Sequence, residues 1–206
     1  KAAAKEYGGQ EETVIWSPTY ITISDLFRNH SSLHVADQIL LVCRLYEVFQ
    51  RITGNASETL DQFYNWGVLL LSDFDDIDKN MADARKVFQL LSDLHELDDI
   101  SYLEDSQKEA LKQFFSSFNG ENPSMMKEKF LRLWSKLFDI YTAFRSSLAA
   151  NGLAYEGMLY REVAENSGLE YDFDTYCFIG FNMLQVVEQK LFLHMKNLEP
   201  KGGQPR

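Results

Sequence analysis

The chain has 206 residues, of which 31 are Asp or Glu and 20 are Lys or Arg, giving a formal net charge of −11. That balance argues against a general phosphate-binding surface, which needs clustered Lys and Arg, and 45% hydrophobic content with 15 Phe and 10 Tyr argues against disorder. No apolar run approaches the roughly 20 residues that cross a bilayer, Lys1 to Glu6 lack the apolar core of a signal peptide, and Cys43 and Cys177 form no metal or redox spacing, so a reducing, cytoplasmic setting is expected.

Thr13-Val14-Ile15-Trp16 is a β-branched and aromatic run closed by Ser17-Pro18, and it predicts a short strand. Tyr20 to Ile23 reads as a further short extended segment. From Ala36 to Ile52 the residues Ile39, Val42, Cys43, Tyr46 and Phe49 fall at helical steps, and Gly54 supplies a stop. Ser57 to Leu71 predicts a second helix, with Phe63, Gly67, Leu70 and Leu71 on one face and Trp66 and Leu69 on another. A third runs from Asn80 to His95. Ser106-Gln107-Lys108-Glu109 has the pattern of a capping box and predicts a helix reaching Phe118. Asn119 to Ser124 is the clearest loop. After it Phe130, Leu133, Trp134, Leu137, Tyr141, Phe144 and Leu148 trace one stripe, ended by Asn151-Gly152. A helix from Tyr155 to Glu165 follows, then a second strand-like run, Thr175 to Ile179, stopped by Gly180. The last helix spans Leu184 to Asn197, and the tail from 198 to 206 reads as disordered.

This predicts a mainly α fold: a helical bundle inserted between two or three short strands, parallel because a long crossover separates them.

Asp73-Phe74-Asp75-Asp76-Ile77-Asp78 is the most conspicuous polar feature. A calcium loop fails there, since Ile77, Asp78 and Ala84 stand where a ligand, a Gly and a Glu are needed. The segment instead predicts a helix–helix junction, with Asp73 or Asp75 capping the next helix and Phe74 and Ile77 packed inward. His30, His34, His95 and His194 are too scattered for a metal site. No phosphate-cradling G-x-x-x-x-G-K-[ST] or G-x-G-x-x-G and no G-x-S-x-G occurs. Glu188-x-Lys190 has the spacing of half a nuclease site but lies in a helical pattern. No catalytic residue, metal or cofactor is therefore assigned. Lys127, Lys129, Arg132, Lys136 and Arg145 gather on one predicted helix with Trp134 and Tyr141, which makes them the candidate DNA contacts.

Three stretches resemble one family. Trp16-Ser17-Pro18-Thr19-Tyr20-Ile21-Thr22-Ile23-Ser24-Asp25-Leu26-Phe27 is similar to the segment after the second strand of AddB-like helicase–nucleases, relatives of superfamily 1 helicases that carry a PD-(D/E)XK nuclease domain. Asp61 to Gly67 and Leu70 to Asp78 resemble that family's helical 1B insertion, and Gly152 to Arg161 its exit. The resemblance implies a partial ATPase-like α/β core at 10–27 and 170–197 and a helical insertion at 28–169. It places Ile179, Gly180 and Phe181 at a degenerate Walker B-like position, with no strand-end Asp to hold Mg²⁺. ATP and Mg²⁺ are implied only for active relatives. With no phosphate-binding loop and no nuclease motif, the chain is expected to be a fragment of a longer protein.

The expected function is thus a non-catalytic, helicase-like scaffold within a DNA repair or recombination helicase–nuclease. Its implied partners are DNA, reached through the parent protein, and a helicase–nuclease partner subunit, with no membrane; the parent would be a DNA exonuclease. The alternative is a stand-alone acidic helical protein–protein interaction domain. A third reading is a hydrolase built on the Asp73–Asp78 cluster.

Overall fold

The computed structural model describes residues 17–54, 59–95, 133–173 and 175–197. The strand expected at Thr13–Trp16, the helix at Ser106–Phe118, the loop at Asn119–Ser124 and the tail lie outside the described residues. Among those described, the protein is mainly helical, with seven helices and one two-stranded parallel sheet.

The first helix, α1 (Ile23–Asn29), opens on a capping box: the Asp25 N–H donates to Thr22 Oγ1 and the Thr22 N–H to Asp25 Oδ2. Helix α2 (Gln38–Thr53) begins at Asp37, whose carboxylate accepts from the Leu40 N–H, and ends at Gly54 in the left-handed region, φ 70°. A second capping box, Thr59 with Gln62, opens α3 (Leu60–Lys79).

This helix continues through the acidic cluster, so the expected junction at Asp73–Asp78 is displaced. The reason is the buried stripe Phe63, Trp66, Gly67, Leu70, Phe74 and Ile77, which keeps helical spacing without a Gly or Pro stop until the turn at Asn80–Met81. Neither Asp73 nor Asp75 caps a helix, although Phe74 and Ile77 do pack inward as expected. Met81 adopts φ 51°, and that turn delays α4 (Ala84–His95) relative to the start at Asn80.

The long aromatic stripe is buried at Leu133, Trp134, Leu137, Tyr141, Phe144 and Leu148. A turn at Ser135-Lys136 interrupts it before α5 (Leu137–Ala150). Helices α6 (Glu156–Glu165) and α7 (Val186–Asn197) complete the order.

The parallel strands exist but are formed by other residues than those expected. β1 (His34–Val35) pairs with β2 (Leu153–Ala154), closed by His34 N–H to Gly152 O at 2.9 Å and Ala36 N–H to Ala154 O at 3.0 Å. Thr175–Ile179 has no ladder partner among the described residues, and Tyr20–Thr22 leads directly into α1. Two-residue strands have no periodicity to read; Gly152, at φ 67°, turns the chain from α5 into β2.

Helix α3 is the axis of the body, packed against α2 and α6, with α5 against α2 and α4 against α5. Phe49, Phe63, Phe74 and Phe144 are fully buried there, each burial stabilising by about 1.5–3 kcal/mol. Phe49 and Phe63 rings lie 4.9 Å apart, and Phe74 meets Tyr141 edge-on at 5.2 Å. A Cβ on Gly67 would stand 3.0 Å from Val42 Cγ1, so α2 and α3 approach most closely where that side chain is missing. The two ends of the helical body meet: Phe27 of α1 stacks on Tyr160 of α6 at 4.1 Å, and the His30 ring lies 5.1 Å from Tyr171.

Candidate functional site

Asp78 sits in the last turn of α3, where a carboxylate opposes the helix dipole, and it is completely buried. Two tyrosines and two arginines compensate it. Its Oδ1 accepts from the Tyr141 hydroxyl at 2.6 Å, from Arg145 Nη1 at 2.9 Å and from Arg161 Nη1 at 3.3 Å. Its Oδ2 accepts a hydrogen bond from the Tyr155 hydroxyl. Tyr141 and Arg145 are one turn apart on α5, Tyr155 is the residue before α6, and Arg161 lies within α6. One carboxylate therefore ties three helices together.

The environment shifts these groups as their partners require. Burial, then the Asp78 acceptor, pushes the Tyr141 phenol up to about 12. The same causes hold the Tyr155 phenol well above its ordinary value. Burial disfavours the Arg145 cation, but Asp78, Tyr141 and Tyr155 together outweigh it and the shift is upward. Both phenols stay protonated donors and both guanidiniums stay charged.

A second network binds the same two helices one turn away. Lys79 Nζ lies 2.8 Å from Asp75 Oδ2 and 2.7 Å from Glu156 Oε2. The Gly157 N–H donates to Asp75 Oδ1 at 2.6 Å, and a Cβ on Gly157 would run into the Asp75 carbonyl oxygen. Position 157 is glycine because α6 starts in contact with the α3 backbone.

Beside Asp78 opens a cleft of about 530 Å³, lined among others by Met81, Arg85, Phe138, Tyr141, Arg145 and Arg161. The exposed Arg85 guanidinium lies over the Phe138 ring, 4.4 Å from its centroid.

Lys127, Lys129 and Arg132, read as DNA contacts, lie outside the described residues. Lys136 donates to Ile52 O at 3.0 Å, at the C-terminal end of α2, and Arg145 is turned onto Asp78. These two cations are thus engaged within the fold. Of the residues expected at a degenerate Walker B-like position, Gly180 has φ 87°, and Ile179 and Phe181 are exposed. Glu188 is buried and accepts from the Gln185 N–H at 2.7 Å, ahead of α7, a capping role rather than half of a nuclease site. Sequence reasoning named Asp78 only as part of the acidic cluster and gave Tyr155 and Arg161 no role of their own. Its available signal was a carboxylate at position i+4 from Phe74, on an otherwise apolar stripe.

Fold and site define a mainly α-helical protein whose helices are joined by a buried carboxylate–arginine–tyrosine cluster. No helix among the described residues is long and apolar enough to cross a membrane. Compared with protein-family models, with curated proteins and with solved structures, the chain matches none of them.

Proposed function

We propose that the chain is a non-catalytic, helicase-like segment of a cytoplasmic DNA repair or recombination helicase–nuclease, its helical body acting as a scaffold inserted into an ATPase-like core. One observation carries this reading beside the resemblance at Trp16–Phe27 and Asp61–Asp78. Large apolar side chains are exposed mainly on the two stretches flanking the body: Tyr20 is 83% exposed on one side, Ile179 81% and Met183 89% on the other. The flanks are tied to the body by Phe27, stacked on Tyr160, and by Val187 and Leu191 in the same core, and the chain's two sides meet at His30 and Tyr171. Close-set ends with uncovered apolar side chains beside them are what an inserted segment presents to a surrounding domain.

In this reading ATP is not turned over, because Ile179-Gly180-Phe181 offers no strand-end acid for Mg²⁺. DNA contact falls first to Lys127, Lys129 and Arg132, since Lys136 donates to Ile52 O and Arg145 commits its Nη1 to Asp78. The test is fluorescence anisotropy with forked DNA at low salt. Salt-dependent binding that is lost in Lys129→Glu/Arg132→Glu supports the reading. No DNA affinity, with stable capture of a protein partner, supports the stand-alone interaction domain instead.

A further inference from the structure

The cleft beside Asp78 brings together arginines from three helices: Arg85 of α4, Arg145 of α5 and Arg161 of α6. Arg85 has no ion-pair partner among the described residues, and its guanidinium carbon lies 4.4 Å from the Phe138 ring centroid. Arg145 bonds through Nη1, to Asp78 and to the Tyr141 oxygen, while Arg161 uses Nη1 for Asp78 and Ala82 O and Nε for Glu165. The Arg145 Nε and Nη2 and the Arg161 Nη2 donate to nothing else among the described residues. Asp83, on the cleft wall, accepts from the Lys86 N–H and pairs with Lys86 Nζ. Among the residues lining the cleft, Arg85, Arg145 and Arg161 stand against one carboxylate, Asp83.

Met81 lines the same cleft with a left-handed backbone that non-glycine residues seldom adopt, a form of strain that gathers at ligand sites. The cleft, of about 530 Å³ and open to solvent, has room for more than one phosphate.

We infer that this cleft binds a phosphate group carried on a flat ring, the chemistry of a nucleotide. The unused N–H groups of Arg145 and Arg161 meet the phosphate, since guanidinium forks match its oxygens. The ring stacks on the open face of Arg85, whose other face rests on Phe138. The inference does not rest on the DNA-processing reading: nucleotide binding without DNA affinity leaves it standing and removes only that reading.

The experiment is isothermal titration of the chain with adenosine monophosphate, adenosine and inorganic phosphate. Arg85 is exposed, so Arg85→Ala is expected to keep the wild-type unfolding midpoint. Saturable adenosine monophosphate binding, stronger than either component alone and weakened roughly tenfold or more in both Arg85→Ala and Arg85→Lys, is the expected result. Lys keeps the charge and loses the plane, which separates stacking from simple attraction. Competition by a 5′-phosphorylated single-stranded oligonucleotide would assign the ligand to a strand end, and lack of competition to a free nucleotide. Absence of saturable binding, or unchanged affinity in Arg85→Ala, would overturn the inference.

Discussion

Tyr155 and Asp78 face each other across the α3–α6 junction, with the Tyr155 hydroxyl donating to the one Asp78 oxygen that neither arginine reaches. The buried carboxylate is thereby satisfied on both oxygens. Removing a partner from such a cluster leaves a desolvated group exposed to no compensating charge.

Asp78→Ala should accordingly destabilise the protein by about 3–5 kcal/mol, because it leaves two guanidiniums and two phenols facing an apolar gap. Urea unfolding measures this. Tyr155→Phe removes only one donor and should cost about 1–3 kcal/mol. A loss below that range for Asp78→Ala would show that water replaces the carboxylate without penalty.

The Tyr141 phenol gives a pH signature. Its value in the folded protein, about 12, lies above the ordinary 10.0. A raised value means that its contribution is whole below pH 10 and is lost as pH rises toward 12. Phenolate absorbance should show Tyr141 and Tyr155 ionising only with alkaline unfolding, and Tyr141→Phe should remove part of that dependence. Early ionisation of both phenols in the folded state would contradict the cluster.

The neighbouring network predicts an acid limb. Burial raises the Glu156 carboxyl, but Lys79, Tyr160 and Arg28 outweigh it and the net shift is downward from 4.5. Its contribution is present above that value and is lost as pH falls through the lower, folded one. Thermal melts of the wild type should fall more steeply on the acid side than those of Glu156→Gln. Parallel acid profiles would remove Glu156 from the network.

Two glycines should respond differently to alanine. Gly157→Ala places a Cβ against the Asp75 carbonyl oxygen, at about 1–3 kcal/mol for the overpacking. Gly54 meets nothing within 4 Å, so Gly54→Ala should cost only the left-handed backbone, about 1 kcal/mol. Denaturant midpoints for the two variants check the order.

The helices were legible because their buried faces repeat at helical spacing: Val42 and Phe49, or Phe63, Gly67, Leu70 and Phe74, show the period in the sequence itself. The end of α3 was not, since Asp73, Asp75 and Asp76 make the segment look like a solvated junction while Phe74 and Ile77 carry the core through it. β1 and β2 were invisible because two residues show no alternation, and their pairing depends on chain segments far apart. The role of Arg145 was hidden for the same reason. In the sequence it follows Lys127, Lys129, Arg132 and Lys136 as the last of a basic series, and only the fold brings Asp78 of α3 and Arg161 of α6 to its side.

A helicase-like segment should touch DNA without turning over ATP, and one titration of the whole chain with forked DNA, following ATP hydrolysis and binding together, decides this. Binding should weaken as salt rises, with ATP turnover no faster than in buffer. DNA-stimulated ATP hydrolysis by this chain alone would contradict it.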